Sequence, residues 1–562
     1  QFIEKEYTMT NTKERIQSIA NHLDPANLKK DEALEKSEWR DEILEIKRRQ
    51  IQNRTADTND RGYIRQKTTG KLWVRERIDA FLDNDSFLEV GSVAGNAKYK
   101  KDGTIESYTA ANFVAGKGKV ETRDVIVAAD DFAIRGGHAD GAVWGKSLYA
   151  EQLARKLKIP MVRLIDGSSG GGSVTLMLEK GATYLPPLFG MHDMIGSLSE
   201  IPVCAAALGP AVGLGAARAT LTHFSVVAND IGSLFAAGPP IVANATFETV
   251  SKESLGGALI HTSNGTIDNL ASNEQDCFNQ IRQFLSYLPT NNFELPPFMA
   301  TDDPCNRRDD ELLSIIPKRR QRMYQVRDIL TRVVDHNSWF EIGSRWGDGA
   351  ICGLARMNGY VVGIITFDCT LKGSVISASS CHKFRRHIDL CDTFGIPILN
   401  FADYAGFSVG TLAEKDATIR YGSTLTAALY QCDVPYFSVV LRKVFGVAGA
   451  AFVDNRVPNM RIAWPSGDWG SLPLEGGIYA AYRRELDEAG DKRNELYEKI
   501  MAKFEAVRSP LRTAEIFDMP EIIDPRDTRP VLCQWVKMMY NHVLPQRLER
   551  TKIQGPRILY RP

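Results

Sequence analysis

The sequence repeats itself once, and this duplication limits the possible folds more than any other feature. Residues 86–92 (SFLEVGS) are echoed by residues 338–344 (SWFEIGS), and residues 158–166 (KIPMVRLID) by residues 395–403 (GIPILNFAD). Further along each copy, a hydrophobic residue and a proline lead into an apolar strand and then a glycine. The separation between paired segments shortens along the chain, as insertions and deletions in loops would produce. Two copies of one domain are therefore predicted.

Length and composition agree with two soluble domains. A chain of 562 residues is too long for one hydrophobic core. Lys and Arg together number 69, as do Asp and Glu, so a general nucleic-acid binder, which would need a basic excess, is excluded. No apolar run reaches the roughly 18 to 20 residues that a membrane span needs. The nine cysteines form no C-x-x-C pair, and the histidines show no ligand spacing, so no metal site is predicted.

Three segments follow from the residue pattern. Residues 1–55 are strongly charged and carry isoleucines and leucines at helical spacing, which predicts a helical N-terminal arm. A proline-rich polar stretch near residues 295–304 marks the boundary between residues 56–300, the first copy, and 301–562, the second. The N-terminus lacks the apolar core of a secretory signal, so secretion is not expected.

Within each copy the pattern indicates an α/β fold. A helical segment leads through Ile-Pro into a short apolar strand, a glycine-rich turn and another helix. Short apolar strands flanked by helical periods predict a buried, largely parallel sheet with right-handed crossovers. Ligands on such sheets bind where the strands end, which is where the glycine turns lie.

Four glycine turns stand at matched places in the two copies. They are residues 167–173 (GSSGGGS) and 209–215 (GPAVGLG) in the first, and 405–410 (AGFSVG) and 445–450 (FGVAGA) in the second. Glycine permits positive φ and close backbone approach to a ligand. Backbone N–H groups at such a turn, ahead of a helix, can hold an anion or a developing oxyanion. Because the turns recur in both copies, a site with two oxyanion holes is predicted.

Other catalytic classes lack their motifs. Residues 141–147 fall one residue short of a phosphate-binding P-loop, and no dinucleotide fingerprint follows a strand. The literal Gly-x-Ser-x-Gly match at residues 167–171 lies in so glycine-rich a turn, without partner histidines, that a serine hydrolase is disfavoured. Chemistry by backbone amides and a cofactor is the remaining interpretation.

At this point the sequence resembles a known family, the carboxyltransferase (β) subunits of biotin-dependent acyl-CoA carboxylases of the propionyl-CoA and methylcrotonyl-CoA type. The resemblance runs from about residue 60 to 550. It is most specific at residues 256–258 (GGA) with His261, 271–276 (ASNEQD), 285–292 (LSYLPTNN), 442–446 (RKVFG) and 463–465 (AWP).

The resemblance implies two tandem crotonase-like (ClpP/crotonase) domains and a ligase or transferase activity. It also implies the cytoplasm or the mitochondrial matrix as the compartment, because members of the family work there. Such enzymes transfer a carboxyl group from carboxybiotin to the α, or vinylogous γ, carbon of an acyl-CoA. It further implies a homohexamer whose active sites join the N-half of one subunit, which binds acyl-CoA, to the C-half of its neighbour, which binds carboxybiotin. No Ala-Met-Lys-Met biotinylation signature occurs. Biotin is therefore expected on a partner, a biotin carboxylase or biotin carboxyl carrier subunit.

The family's functional positions map onto two groups of residues. The catalytic group would hold the acyl thioester carbonyl in the first half and the biotin ureido carbonyl in the second: Gly213 and Leu214, then Gly446, Val447 and Ala448. The substrate-binding group would line the CoA side and the acyl pocket: Ser169, Gly170, Gly171, Gly136, Gly137 and Ala450. The small Ala450 side chain is expected to leave room for a larger or branched acyl group.

Two departures from the family pattern keep alternatives open. Leu214 and Val447 stand where relatives carry the second glycine of each pair. Backbone amides survive this change, but the side chains narrow the site. One alternative is a biotin-independent acyl-CoA decarboxylase or another crotonase-fold acyl-CoA enzyme. Another is a non-catalytic paralogous subunit.

Overall fold

The chain forms two compact units. The computed structural model describes residues 32–138, 141–167, 175–185, 188, 190–557 and 559–562. The first unit takes the chain up to residue 261 and residues 270–282, and the second takes residues 262–269 and 283–562.

This division differs from the predicted boundary between residues 300 and 301. The reason is aromatic packing just ahead of the proline-rich stretch. The ring of Phe284 lies 6.5 Å from that of Phe340, and the Tyr287 hydroxyl donates to the backbone oxygen of Ser338 at 2.6 Å. These contacts join residues 283–300 to the second copy of the repeat.

The first unit is built on one sheet with helices around it. Its strands are β1 Leu88–Val90, β2 Gly95–Tyr99, β3 Ile105–Ala110, β4 Phe113–Val120, β5 Arg123–Asp130, β6 Met161–Ile165, β7 Val203–Ala207, β8 Pro210–Val212, β9 Phe224–Ala228, β10 Ser233–Phe235 and β11 Asn269–Ala271. The main sheet has the order β1-β4-β5-β6-β7-β9-β11. In it β1, β4 and β5 pair in antiparallel fashion, and β5, β6, β7 and β9 pair in parallel.

Helices connect and flank these strands. The α-helices up to the division are Glu32–Glu35, Arg40–Arg54, Arg61–Thr68, Val74–Phe81, Trp144–Leu157, Thr175–Lys180, Met191–Ser197, Leu214–Thr220, Pro239–Ala245, Lys252–Gly256, Ala258–Ser263 and Glu274–Tyr287, with a short 3₁₀ turn at Arg135–Gly137. The predicted N-terminal arm falls on the first two of these helices, and residues 1–31 lie outside the described residues.

The second unit has the same plan. Its strands are β12 Phe340–Ile342, β13 Ala350–Met357, β14 Tyr360–Phe367, β15 Val375–Ile376, β16 Ile398–Tyr404, β17 Gly406–Phe407, β18 Tyr436–Phe445, β19 Arg461–Ala463 and β20 Asp468–Gly470. The main sheet has the order β12-β13-β14-β16-β18-β19, and β20 also pairs with β18.

Its helices follow the same alternation and end in a helical extension. The α-helices are Val326–Val333, Ala378–Phe394, Thr411–Lys415, Thr418–Gln431, Gly446–Val453, Leu474–Ala481, Arg483–Glu488, Arg493–Glu505, Pro510–Glu515, Thr528–Met538 and Leu544–Gln554; 3₁₀ turns lie at Asp310–Leu313, Lys372–Ser374, Gly490–Lys492 and Pro525–Asp527, and a π turn at Met539–Val543.

The predicted duplication of an α/β domain is confirmed. The repeated segments form β1 and β12 at one edge of each sheet, and β6 and β16 in its middle. The helix before each middle strand even ends the same way, with a left-handed residue at Lys158 (φ 56°) or Gly395 (φ 69°). β6 and β7 are buried along their whole length. β7 is accordingly a continuous apolar run, whereas β6 carries Arg163, which pairs with Glu151 at 2.9 Å.

Candidate active site

A glycine with positive φ precedes one helix in each unit, at the places that the sequence predicts. Gly213 (φ 60°) caps the helix Leu214–Thr220, and Gly446 (φ 63°) begins the helix Gly446–Val453. Side chains other than glycine rarely adopt this conformation, because Cβ crowds the backbone. The same sharp strand-to-helix turn is therefore encoded twice.

The turn of the first unit uses the Gly213 amide internally. The Gly213 N–H donates to the backbone oxygen of Phe235 at 3.0 Å and so extends the parallel pairing of β8 with β10. The first N–H groups of a helix have no carbonyl to bond within that helix. The Gly213 N–H is therefore engaged within the protein, and the helix that follows it begins at Leu214.

The turn of the second unit places the predicted residues in one helical turn. Val447 is 73% exposed, whereas Ala448 is buried. The Cβ of a residue at Gly449 would lie 2.8 Å from the Val444 carbonyl carbon, so glycine lets this helix pack closely on β18. Ala450 is exposed on the same helix. The start of this helix therefore packs closely on β18, while Val447 and Ala450 are exposed to solvent.

A cavity of about 70 Å³ lies beside the turn of the first unit. It joins Gly137, Gly167 and Leu214, so two of the predicted residues meet although they are far apart in the chain. A Cβ at Gly137 would lie 2.6 Å from the Gly167 Cα, so only glycine permits this approach. Its other lining residues are Asn112, Phe113, Asp130, Ala142, Val143, Trp144, Ser147, Met194, Gly215 and Arg218.

The neighbouring Gly136 (φ 61°) is buried. A Cβ on it would lie 3.6 Å from Nη2 of Arg65, which lines a groove of about 350 Å³ together with Lys71 and Lys252. Arg65 and Lys71 both lie over the ring of Phe132, at 4.7 and 4.2 Å from its centre. Asp230 and Glu253 line the same groove, so its lining carries both signs of charge.

Buried ion pairs hold the strand ends that carry these turns. Asp166, which precedes Gly167, accepts from Lys71 at 2.9 Å and from Arg77 at 2.7 Å. Arg77 also pairs with Glu274 at 2.8 Å. Burial lowers the pKa of Lys71, and Asp166 opposes that shift. The network fixes the end of β6 in a dry environment.

Asp403 is the counterpart of Asp166 in the second unit, because each ends its copy of the repeated segment. The sequence alone predicts no role for it. Asp403 accepts from Nη2 of Arg442 at 3.0 Å and from the Tyr324 hydroxyl at 2.9 Å. Burial raises the pKa of Tyr324 well above its usual value, so this hydroxyl is a donor. The signal was available, because an aspartate closes both repeated segments.

A pH effect is expected from Asp131, at the start of the turn that leads to Gly136. Burial raises the pKa of this carboxyl to about 6, although the N–H groups of Ala133 and Trp73 favour its charged form. The folded protein therefore binds a proton between about pH 4 and 6 that the unfolded chain does not. Relative to Asp131→Asn, the wild-type free energy of unfolding should rise by up to about 3 kcal/mol as pH falls from 7 to 4. Denaturant unfolding of both proteins checks this; a difference that is independent of pH would contradict it.

Three further expectations concern the predicted glycine turn at residues 169–171, metal binding and membrane spans. Ser169, Gly170 and Gly171 lie outside the described residues. Within the described ranges, no three His, Cys, Asp or Glu side chains are grouped so as to hold a metal ion. In the same part of the chain, no helix has both the length and the apolar character to cross a membrane.

Comparison with known proteins agrees with this architecture. A family model described as "Carboxyl transferase domain" matches residues 65–552. The carboxyltransferase subunit of propionyl-CoA carboxylase from Haloferax mediterranei is 30% identical, over 84% of this chain and 91% of that protein. Methylmalonyl-CoA decarboxylase subunit alpha from Veillonella parvula is 28% identical, over 89% and 96%. The transcarboxylase 12S hexamer, solved with methylmalonyl-CoA and methylmalonic acid bound, superimposes with a TM-score of 0.79 at 25% identity, over 90% of this chain and 97% of that chain.

Two crotonase-like α/β domains in tandem, each with a glycine turn ahead of a helix, define a duplicated carboxyltransferase fold. The chain belongs to the carboxyl transferase family. It is a carboxyltransferase subunit of the acyl-CoA carboxylase type, as the sequence resemblance predicts.

Proposed function

We propose that this chain moves a carboxyl group between carboxybiotin and the α, or vinylogous γ, carbon of an acyl-CoA. The observation that carries the proposal is the glycine turn at the same place in both units, Gly213 in one and Gly446 in the other. One turn would serve the thioester carbonyl and the other the carbonyl of the biotin ring. A reaction that develops negative charge on two different oxygens calls for two such sites.

The acyl-CoA belongs on the first unit. The cavity of about 70 Å³ beside Leu214 has room for a short acyl group. A groove of about 350 Å³ in the same unit is lined by Arg65, Lys71 and Lys252 as well as by Asp230 and Glu253, and its cations suit the phosphates of CoA. With the thioester oxygen at the start of the helix Leu214–Thr220, backbone N–H groups would stabilise the enolate formed when the α proton leaves. One such donor contributes about 3 kcal/mol of transition-state stabilisation.

The biotin carbonyl belongs on the second unit. The first turn of the helix Gly446–Val453 presents backbone donors beside the exposed side chain of Val447, which fits a neutral ring carbonyl better than a charged group. When bound, biotin supplies the carboxyl group and a ring nitrogen able to exchange a proton. The role of Val447 and Ala448 is to hold and polarise that ring.

Biotin would arrive on a separate biotin carboxylase or biotin carboxyl carrier chain. Both units carry exposed apolar side chains, Val409, Leu412 and Ile419 in the second and Leu178 and Leu185 in the first. Exposed apolar surface of this kind suits contact between subunits. Because the transcarboxylase relative is a hexamer, we propose a homohexamer whose active sites combine the first unit of one copy with the second unit of another.

We propose that the acyl group is short, of propionyl size, and branched in its carboxylated form, of methylmalonyl size. The relatives are named for these esters, and the exposed Ala450 adds no bulk. The Veillonella parvula relative is a decarboxylase subunit, which favours a second candidate: the same transfer run from the carboxylated ester towards biotin. Relatives include a mitochondrial protein, and we propose the matrix or the cytoplasm as the compartment.

Release of CO₂ from carboxylated CoA esters tests the function on the full chain. Purified protein is incubated with malonyl-CoA or methylmalonyl-CoA, with and without free biotin. Turnover that requires biotin is expected, because the carboxyl group passes to the biotin nitrogen, the α carbon takes up a proton, and the carboxybiotin then releases CO₂ and regains its N–H. Equal turnover without biotin would replace the proposal by a biotin-independent decarboxylase. Absence of turnover with both esters, under conditions where a CoA ester binds, would indicate a non-catalytic subunit.

A further inference from the structure

One arginine that lines the cavity beside Leu214 has two side-chain nitrogens without a hydrogen-bond acceptor. Arg218 lies on the helix Leu214–Thr220 and lines the cavity that also holds Gly137 and Leu214. Its side chain is only 12% exposed. Asp130 accepts from its Nη1 at 3.0 Å, and the guanidinium stands 5.5 Å from the ring centre of Phe113. A charged group is therefore held among apolar and backbone surfaces, beside the turn that receives the thioester.

The unpaired nitrogens of Arg218 form one edge. Both Nε and Nη2 are buried and have no acceptor. Other buried arginines with an unsatisfied nitrogen, such as Arg442 and Arg547, leave only Nε unpaired, so in the described part of the chain Arg218 alone leaves two. A buried donor without a partner is costly, which makes an edge of two such donors an unusual feature.

That edge fits an anion with two acceptor oxygens, and at the acyl end of a CoA ester such a group is a carboxylate. The N–H groups on Nε and Nη2 of a guanidinium are parallel, and a carboxylate accepts both with its two oxygens. Asp130 occupies the other side through Nη1 and accepts the Asp166 N–H with its second oxygen at 3.2 Å, so it is fixed in place. A ligand carboxylate would complete the arginine without displacing its existing partner.

We propose that Arg218 recognises a carboxylate on the acyl group of the CoA ester. The inference rests on the proposed function, because it places the acyl group in this cavity. The carboxylate has two sources: the group being transferred, which a methylmalonyl-type ester carries on its α carbon, or a second acidic group at the far end of the acyl chain. In both cases Arg218 is a specificity-determining residue, and esters bearing the carboxylate bind more tightly than neutral esters of the same size.

Two matched pairs of esters separate the sources. Dissociation constants are measured by calorimetry, without biotin, for propionyl-CoA against methylmalonyl-CoA and for butyryl-CoA against succinyl-CoA. In Arg218→Met, the charged member of at least one pair should bind at least about tenfold more weakly, while both neutral esters stay within about twofold. Loss with methylmalonyl-CoA identifies the transferred carboxyl group, and loss with succinyl-CoA identifies a distal one.

Two further variants guard against a purely structural effect. Arg218→Lys keeps the charge but not the two-pronged edge and should fall between wild type and Arg218→Met. The double variant Asp130→Asn with Arg218→Met avoids a buried, unpaired carboxylate and should show the same selective loss if the single variant folds poorly.

The outcomes distinguish this inference from the proposed function. Equal weakening of neutral and charged esters, or no weakening of either, would overturn the role of Arg218 while leaving carboxyl transfer intact. Failure of wild-type protein to bind any of the four esters would overturn the proposed function itself.

Discussion

Replacing Val447 by proline is expected to lower kcat about a hundredfold with little loss of stability. The change removes one backbone donor from the first turn of the helix Gly446–Val453, and a single oxyanion-hole donor contributes about 10²- to 10³-fold in kcat. Proline is tolerated in the first turn of a helix, where its missing N–H costs no helical hydrogen bond. The side chain is largely exposed, so no core packing is disturbed. Biotin-dependent CO₂ release measures the effect.

The matched control is Val447→Ala, which trims the same side chain but keeps the amide. Its kcat should stay within a few-fold of wild type. If both variants lose activity equally, the side chain and not the amide matters at this position. If Val447→Pro remains folded and fully active, the second unit's turn is not an oxyanion hole.

Replacing Arg77 by methionine is expected to destabilise the first unit by about 3 to 5 kcal/mol. The guanidinium is fully buried and bonds both Asp166 and Glu274, so its loss leaves two carboxylates in a dry site with only Lys71 as a cation. For a domain of this size, such a change lowers the melting temperature by on the order of 10 °C. A thermal unfolding scan at pH 7 measures it.

An exposed ion pair of the second unit is the control for that prediction. Arg484 pairs with Glu488 one helical turn away at 2.7 Å, and its side chain is 87% exposed. Solvent screening leaves such pairs worth little, so Arg484→Met should leave the melting temperature almost unchanged. A small effect for Arg77→Met, comparable to that of the control, would show that the buried network does not hold the end of β6.

The duplicated fold could be predicted because its strands and turns require particular residue types, apolar residues after a proline and glycine before a helix. The short apolar strands after Ile-Pro and Val-Pro steps became β6, β7, β16 and β18, and Gly213 and Gly446 have the positive φ that their place before a helix suggested. The domain boundary was harder. Prolines near residues 295–304 look like a linker, whereas the packing of Phe284 on Phe340 is a tertiary contact.

The details of the site depend on contacts that residue types do not reveal. The Gly213 amide bonds Phe235 through backbone pairing, and any residue could supply that oxygen. In the sequence, nothing distinguishes Arg218 from other arginines of predicted helices. Its place in a cavity follows from the close approach of Gly137 to Gly167, and its unpaired edge is visible only in three dimensions.

Mixing two variants, each with one of its two turns disabled, tests most directly whether the active site combines two oxyanion holes. Leu214→Pro is intended to disable the turn of the first unit, and Val447→Pro that of the second, so each homo-oligomer should be nearly inactive in biotin-dependent CO₂ release. If an active site joins the first unit of one copy to the second unit of another, equal amounts of both chains, unfolded and reassembled together, should regain about a quarter of wild-type activity. Mixed oligomers no more active than either parent would contradict two complementary oxyanion holes supplied by different copies of the chain.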